Sequence, residues 1–102
     1  MGQTLLWWAA FKGHDAIVCQ LLEAHGIAVS KRHRHGRTPL AIAASKGHDK
    51  VVGQLLEVTE IDANAKGKDG QTPLWWAASK GHEAVLSQLL EPPGIEVNTR
   101  ET

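Results

Sequence analysis

Six histidines, one cysteine and a few serines are the residues of this chain that could do chemistry. His14, His48 and His82 each follow a glycine and precede an acid, and they recur every 34 residues. A bound metal needs three or four ligands converging on one point, whereas copies carried on neighbouring structural units fall about 10 Å apart. These three are therefore read as packing and capping residues. His25, His33 and His35 lie outside that register, and the run Lys31-Arg32-His33-Arg34-His35-Gly36-Arg37 adds no Cys or carboxylate to a metal set. Ser45 and Ser79 stand three residues before His48 and His82, with the turn glycine in between. A hydrolase would also need an orienting acid and an oxyanion site, which nothing specifies. Cys19 occupies the position of Gly53 and Ser87 and reads as an inert thiol. The glycines punctuate turns and head no phosphate-binding loop. The chemistry read from these residues is non-enzymatic, with no catalytic residue, no metal and no cofactor.

The elements that carry these residues come from an internal repeat, and 102 residues divide into three units of 34. Residues 2–23 and 70–91 differ at only 6 of 22 positions. The units read as 2–35, 36–69 and 70–102 of one domain. An apolar share of 42% and a charged share of 22% are ordinary for a folded domain and exclude a disordered chain. No apolar run approaches the ~18 residues of a membrane span, and Met1-Gly2-Gln3-Thr4 lacks the basic start of a signal peptide. With a lone Cys19 excluding an internal disulfide, the expectation is a cytoplasmic, reducing compartment.

Within a unit, Thr38 and Thr72 suit a helix N-cap, and Pro39 and Pro73 suit the first helical position. Gly47 ends the short helix in a left-handed conformation, and Lys12, Lys46 and Lys80 place a cation in its last turn. A second helix opens at His48-Asp49, with Val51, Val52, Leu55 and Leu56 on one face. Ile61 and Ala63 alternate as a short extended arm, as do Ile27/Val29 and Ile95/Val97. Pro92-Pro93 stops the last helix.

Gly36-Arg37-Thr38-Pro39-Leu40, Ala43-Ala44, Gly47-His48 and Leu55-Leu56, with the same frame in the flanking copies, resemble the ankyrin repeat. That resemblance covers the chain and implies an all-α solenoid of three stacked helix-turn-helix repeats with short extended arms or β-turn fingers between them. The 34-residue unit, Leu-x-Trp-Ala-Ala and Lys-Gly-His-Glu-Ala-Val look like ankyrin arrays of filamentous fungi, where such arrays form the C-terminal sensor region of NACHT-type receptor proteins. Trp7, Ala41 and Trp75 replace the family's usual histidine, and Leu5 replaces the proline. No specialised cap is visible at either end, so Leu6, Trp8, Ile17 and Leu21 are expected to meet solvent or a neighbour. The chain reads as a segment of a longer array or a designed scaffold of this type.

Zero net charge conceals a sorted distribution. Of 11 basic residues only Lys50 belongs to a second helix, whereas Asp15, Glu23, Asp49, Glu57, Glu83 and Glu91 all do. In ankyrin-like stacking this implies a basic concave face and an acidic back, a dipolar surface that steers an acidic protein partner. The run 31–37 supplies four cations without aromatic stacking partners, which favours protein over nucleic acid. The variable contact positions of the ankyrin frame fall on Phe11, Lys12, Arg34, His35, Arg37, Ser45, Lys46, Lys68, Asp69, Gln71, Ser79 and Lys80. His33 and His35 would add charge below about pH 6.5. Trp8 and Trp76 are expected in the core, and Trp7, Trp75 and Phe11 at an interface. The reading is a non-enzymatic protein-binding module with no membrane association. The alternative is a structural stacking segment that self-associates through its uncapped ends.

Overall fold

The structure, a computed structural model, describes residues 5–23, 37–58, 61–67, 70–92 and 94–95. Six helices follow one another: α1 (Leu5–Lys12), α2 (Asp15–Glu23), α3 (Pro39–Lys46), α4 (Asp49–Leu56), α5 (Pro73–Lys80) and α6 (Glu83–Leu90). Their ends follow local chemistry. Thr38 Oγ1 accepts from the Ala41 N–H and Thr72 Oγ1 from the Trp75 N–H, both at 3.2 Å, with a proline at the start of each helix. At the other end Gly47 and Gly81 adopt φ of 76° and 75°. The Gly47 N–H then reaches the Ala44 carbonyl and the His48 N–H the Ala43 carbonyl, which satisfies two orphan acceptors of α3. The same pair of bonds closes α1 at Gly13-His14 and α5 at Gly81-His82. A helix only eight residues long would be marginal alone; these are held by what they pack against.

Helices α1, α3 and α5 form one row and α2, α4 and α6 a second, each helix pair stacking on the next. The core is correspondingly a row of junctions. Leu6, Ala10 and Val18 lead into Leu40, Ile42, Val51, Val52 and Leu55, and these into Leu74, Val85 and Leu89, all buried. The middle unit is covered on both sides, so every residue from Thr38 to Ser45 is buried. In α5 only Pro73, Leu74 and Ala77 are buried, because no unit covers its far side among the described residues. Leu6, expected near solvent, is fully buried: it points inward between the two helix rows, unlike Trp8 and Ile17, which are exposed.

The arm after α4 contains a turn at Ala63-Asn64, the second of the two expected forms, and the described residues contain no strand. Asp62 organises it, its carboxylate accepting from the Asn64 N–H at 3.1 Å and its carbonyl from the Ala65 N–H. Ile61 and Ala63 still pack against the core. Ile27, Val29 and Val97 lie outside the described residues.

Candidate functional site

The recurrent histidines join the units. The His48 ring donates from Nε2 to the Phe11 carbonyl at 3.0 Å, and His82 repeats this to the Ser45 carbonyl at 3.1 Å. A carbonyl only accepts, so the proton in each bond belongs to Nε2. Each ring lies over the turn glycine of the preceding unit: a Cβ built on Gly13 or Gly47 would stand 2.7 or 2.8 Å from the imidazole. Gln54 adds a parallel link, Nε2 donating to the Asp15 carbonyl at 3.0 Å. The expected capping role is corrected here. His48 and His82 occupy N-cap positions but make no side-chain cap bond, because their rings reach across to the previous unit. Among the described residues no three His, Cys, Asp or Glu side chains converge as metal ligands. Cys19 is exposed, its sulfur 3.8 Å from a Glu23 carboxylate oxygen. His25, His33 and His35 lie outside the described residues.

The first tryptophan pair reverses its expected roles. Trp7 is 6% exposed and donates through Nε1 to the Arg37 carbonyl at 3.2 Å, whereas Trp8 is 42% exposed. Trp7 faces forward onto the second unit. Trp8 faces backward, at the position where Ile42 is buried against the first unit, and nothing comparable covers it among the described residues. Trp75 and Trp76 are both half-buried, their rings perpendicular at 5.0 Å.

Cations and aromatic rings alternate along the α1–α3–α5 row. Phe11 stacks on Trp7 with ring centroids 5.5 Å apart. The Lys12 and Lys46 ammonium groups stand 5.6 and 5.0 Å from the Phe11 centroid. Across the next junction, the Arg37 guanidinium lies 4.1 Å over the Trp76 ring and Lys80 lies 6.0 Å from it. Lys12, Lys46 and Lys80 are exposed, and no carboxylate among the described residues pairs with them. Trp76 was not legible as a site residue, since its partner Arg37 belongs to another unit; the signal available was Arg37 preceding the N-cap at one junction from a tryptophan.

Of the other expected contacts, Ser79 is exposed and Gln71 half-buried, its carbonyl accepting from the Gly67 N–H at 2.9 Å. Ser45 is only 6% exposed, sealed at the second junction where His82 engages its carbonyl, so its side chain is withdrawn from a partner. Arg34, His35, Lys68 and Asp69 lie outside the described residues. The acids Asp15, Asp49 and Glu83 open the helices of the second row, where they complement the helix N-termini.

No described helix is long and apolar enough to cross a membrane. A search of curated proteins returned no match. The family profile described as Ankyrin repeats (3 copies) matches residues 6–101. Stacked helix pairs, Thr-Pro starts, glycine-histidine turns and this match over nearly the whole length agree, and the chain belongs to the ankyrin repeat family.

Proposed function

We propose that this ankyrin domain is a non-enzymatic recognition module whose cation–aromatic row takes an acidic segment of a protein partner. Ankyrin repeats are in general protein–protein interaction modules. The observation that carries the finer reading is the recurrence of an exposed lysine at the end of α1, α3 and α5, with Phe11 lodged between Lys12 and Lys46 and Trp76 between Arg37 and Lys80. Each ring holds its cations on the surface and offers apolar area beside them. A carboxylate approaching this row meets lysines with which no carboxylate among the described residues is paired. Aromatic and arginine side chains together are the composition that anchors protein interfaces. Lys68, Arg34 and His35 extend the basic side of this proposal by sequence. The likeness to fungal arrays that serve as sensor regions, and a thiol suited to a reducing compartment, agree with an intracellular recognition role.

The test uses acidic and neutral peptides displayed as a library and selected on the immobilised chain. The selected peptides should be rich in Asp and Glu. Their affinity should fall at least about tenfold at about 0.5 M salt, where screening acts within a few Å. Combining Lys12→Glu, Lys46→Glu and Lys80→Glu should abolish capture with thermal stability retained, since all three are exposed. Selection without acidic bias, or unchanged capture by the triple variant, overturns the reading.

A further inference from the structure

The three units share a frame, so the exposure of one position can be followed along the stack. On the forward side, Ala10 and Ala44 are fully buried but Ala78 is exposed. Leu22 and Leu56 are half-buried, whereas Leu90 is 48% exposed. On the backward side the open unit is the first: Val51 and Val85 are buried but Ile17 is 45% exposed, and His48 and His82 are half-buried but His14 is exposed. The turn glycines give the same answer at atomic scale. Imidazoles fill the space beside Gly13 and Gly47, while no described residue lies within 4 Å of a Cβ on Gly81.

The open positions are complementary. The first unit displays a His14 ring, and the third displays the glycine hollow and Ser79 carbonyl that receive such a ring at both internal junctions. Around His14 lies a mostly apolar pocket formed by Leu5, Trp8, Ala9, Ile17 and Leu21, with Lys12 at its side. We propose that a second copy of this chain docks head to tail. Its first unit covers the third unit of its neighbour, with His14 seated over Gly81 and Nε2 donating to the Ser79 carbonyl. Gln20 stands in the frame of Gln54 and would reach the Glu83 carbonyl, which corresponds to that of Asp15. The occupant is fixed by continuity: this chain presents both halves of the junction that it already makes twice internally. Because the two surfaces differ and lie at opposite ends, the contact is heterologous and open, so assembly proceeds from dimers to longer rows. The repeat stack supplies the reason, since each unit buries its apolar faces against a neighbour and Ile17 and Leu90 are exposed among the described residues.

Sedimentation of the 102-residue chain from about 5 μM to about 500 μM, the range of weak non-obligate contacts, tests this. The weight-average mass should rise with concentration. Ile17→Glu closes the head and Ala78→Glu closes the tail; both sites are exposed, so each variant should keep the helical content and melting temperature of the wild type. Each alone should stay monomeric. Mixed in equal amounts they should form a dimer and stop there, the open tail of the first accepting the open head of the second. A wild-type mass that stays monomeric throughout, self-association by either variant alone, or no dimer in the mixture overturns the proposal. Lys46→Glu, exposed in the middle unit and outside both docking faces, should associate like the wild type while weakening capture of acidic peptides, which separates this contact from partner recognition.

Discussion

Replacing Gly47 by alanine adds one methyl group where two penalties coincide, and replacing Gly81 adds the same group where only one applies. Both glycines have φ near 75°, in the left-handed region, where a Cβ crowds the following carbonyl and costs about 1–2 kcal/mol. Alanine also narrows the unfolded ensemble, an opposing gain of about 0.4–1 kcal/mol that is common to both positions. The difference lies in the neighbour. At Gly47 the new Cβ would stand 2.8 Å from both Cε1 and Nδ1 of His82 and 3.0 Å from its Cγ. Ordinary carbon contacts lie at about 3.5–4.0 Å, so the ring must retreat by about 0.7 Å or more. It cannot do so freely, because Nε2 is held 3.1 Å from the Ser45 carbonyl. Insertion into a packed site of this kind costs a further ~1–3 kcal/mol.

Gly81→Ala should therefore destabilise by about 1 kcal/mol and Gly47→Ala by about 2–4 kcal/mol. Urea titrations followed by circular dichroism, at low protein concentration so that the third unit stays uncovered, should show a clearly lower midpoint for the second variant. A separation of ~2 kcal/mol corresponds to roughly 8–16 °C in melting temperature for a chain of this length. Equal losses at the two positions would refute the reasoning, since they would mean that backbone conformation alone, and no seated imidazole, sets the requirement for glycine.

The other stability comparisons use the same logic of paired positions. Trp7→Ala should cost about 3–5 kcal/mol in urea unfolding because it empties a buried site and strands the Arg37 carbonyl, while Trp8→Ala, 42% exposed, should cost under about half of that. His48→Ala should destabilise by about 1–3 kcal/mol through the lost bond to the Phe11 carbonyl and the vacated hollow over Gly13, whereas His14→Ala should stay within about 0.5 kcal/mol in the dilute monomer, as read by thermal melts.

What was legible in the residues was whatever local chemistry decides. Thr38-Pro39 starts a helix and Gly47 ends it because an N–H, a carbonyl and a left-handed φ are settled within a few positions. Burial across a junction is settled elsewhere. A helical period places Trp7 and Trp8 on neighbouring faces but does not say which face looks forward along the stack and which looks back. The forward one is covered by α3 and the backward one is covered by no described helix, so their expected roles were exchanged. The histidines illustrate the same limit. A residue at a helix start with an acid beside it reads as a cap, yet its ring is drawn off by a carbonyl 37 positions earlier. The Arg37–Trp76 contact likewise joins residues 39 apart in sequence and follows only from how units are spaced in the stack.

The division of labour within one frame position leaves room, on a stack so constrained, for the proposed binding face. Phe11, Ser45 and Ser79 are equivalent, and at both internal junctions this position gives its backbone carbonyl to the next unit's histidine. A carbonyl is the same whatever the side chain, so stacking fixes the backbone here and leaves the residue type free. The side chain beside it can then be an aromatic that anchors two lysines, as at Phe11, or a serine tucked into a junction, as at Ser45. Glycine, histidine and the N-cap threonine enjoy no such freedom, because their φ, ring or hydroxyl is itself the contact. Positions that stack through the backbone and point side chains outward are thus where recognition can change without loss of fold. That is the physical ground on which the binding surface is proposed at the ends of α1, α3 and α5.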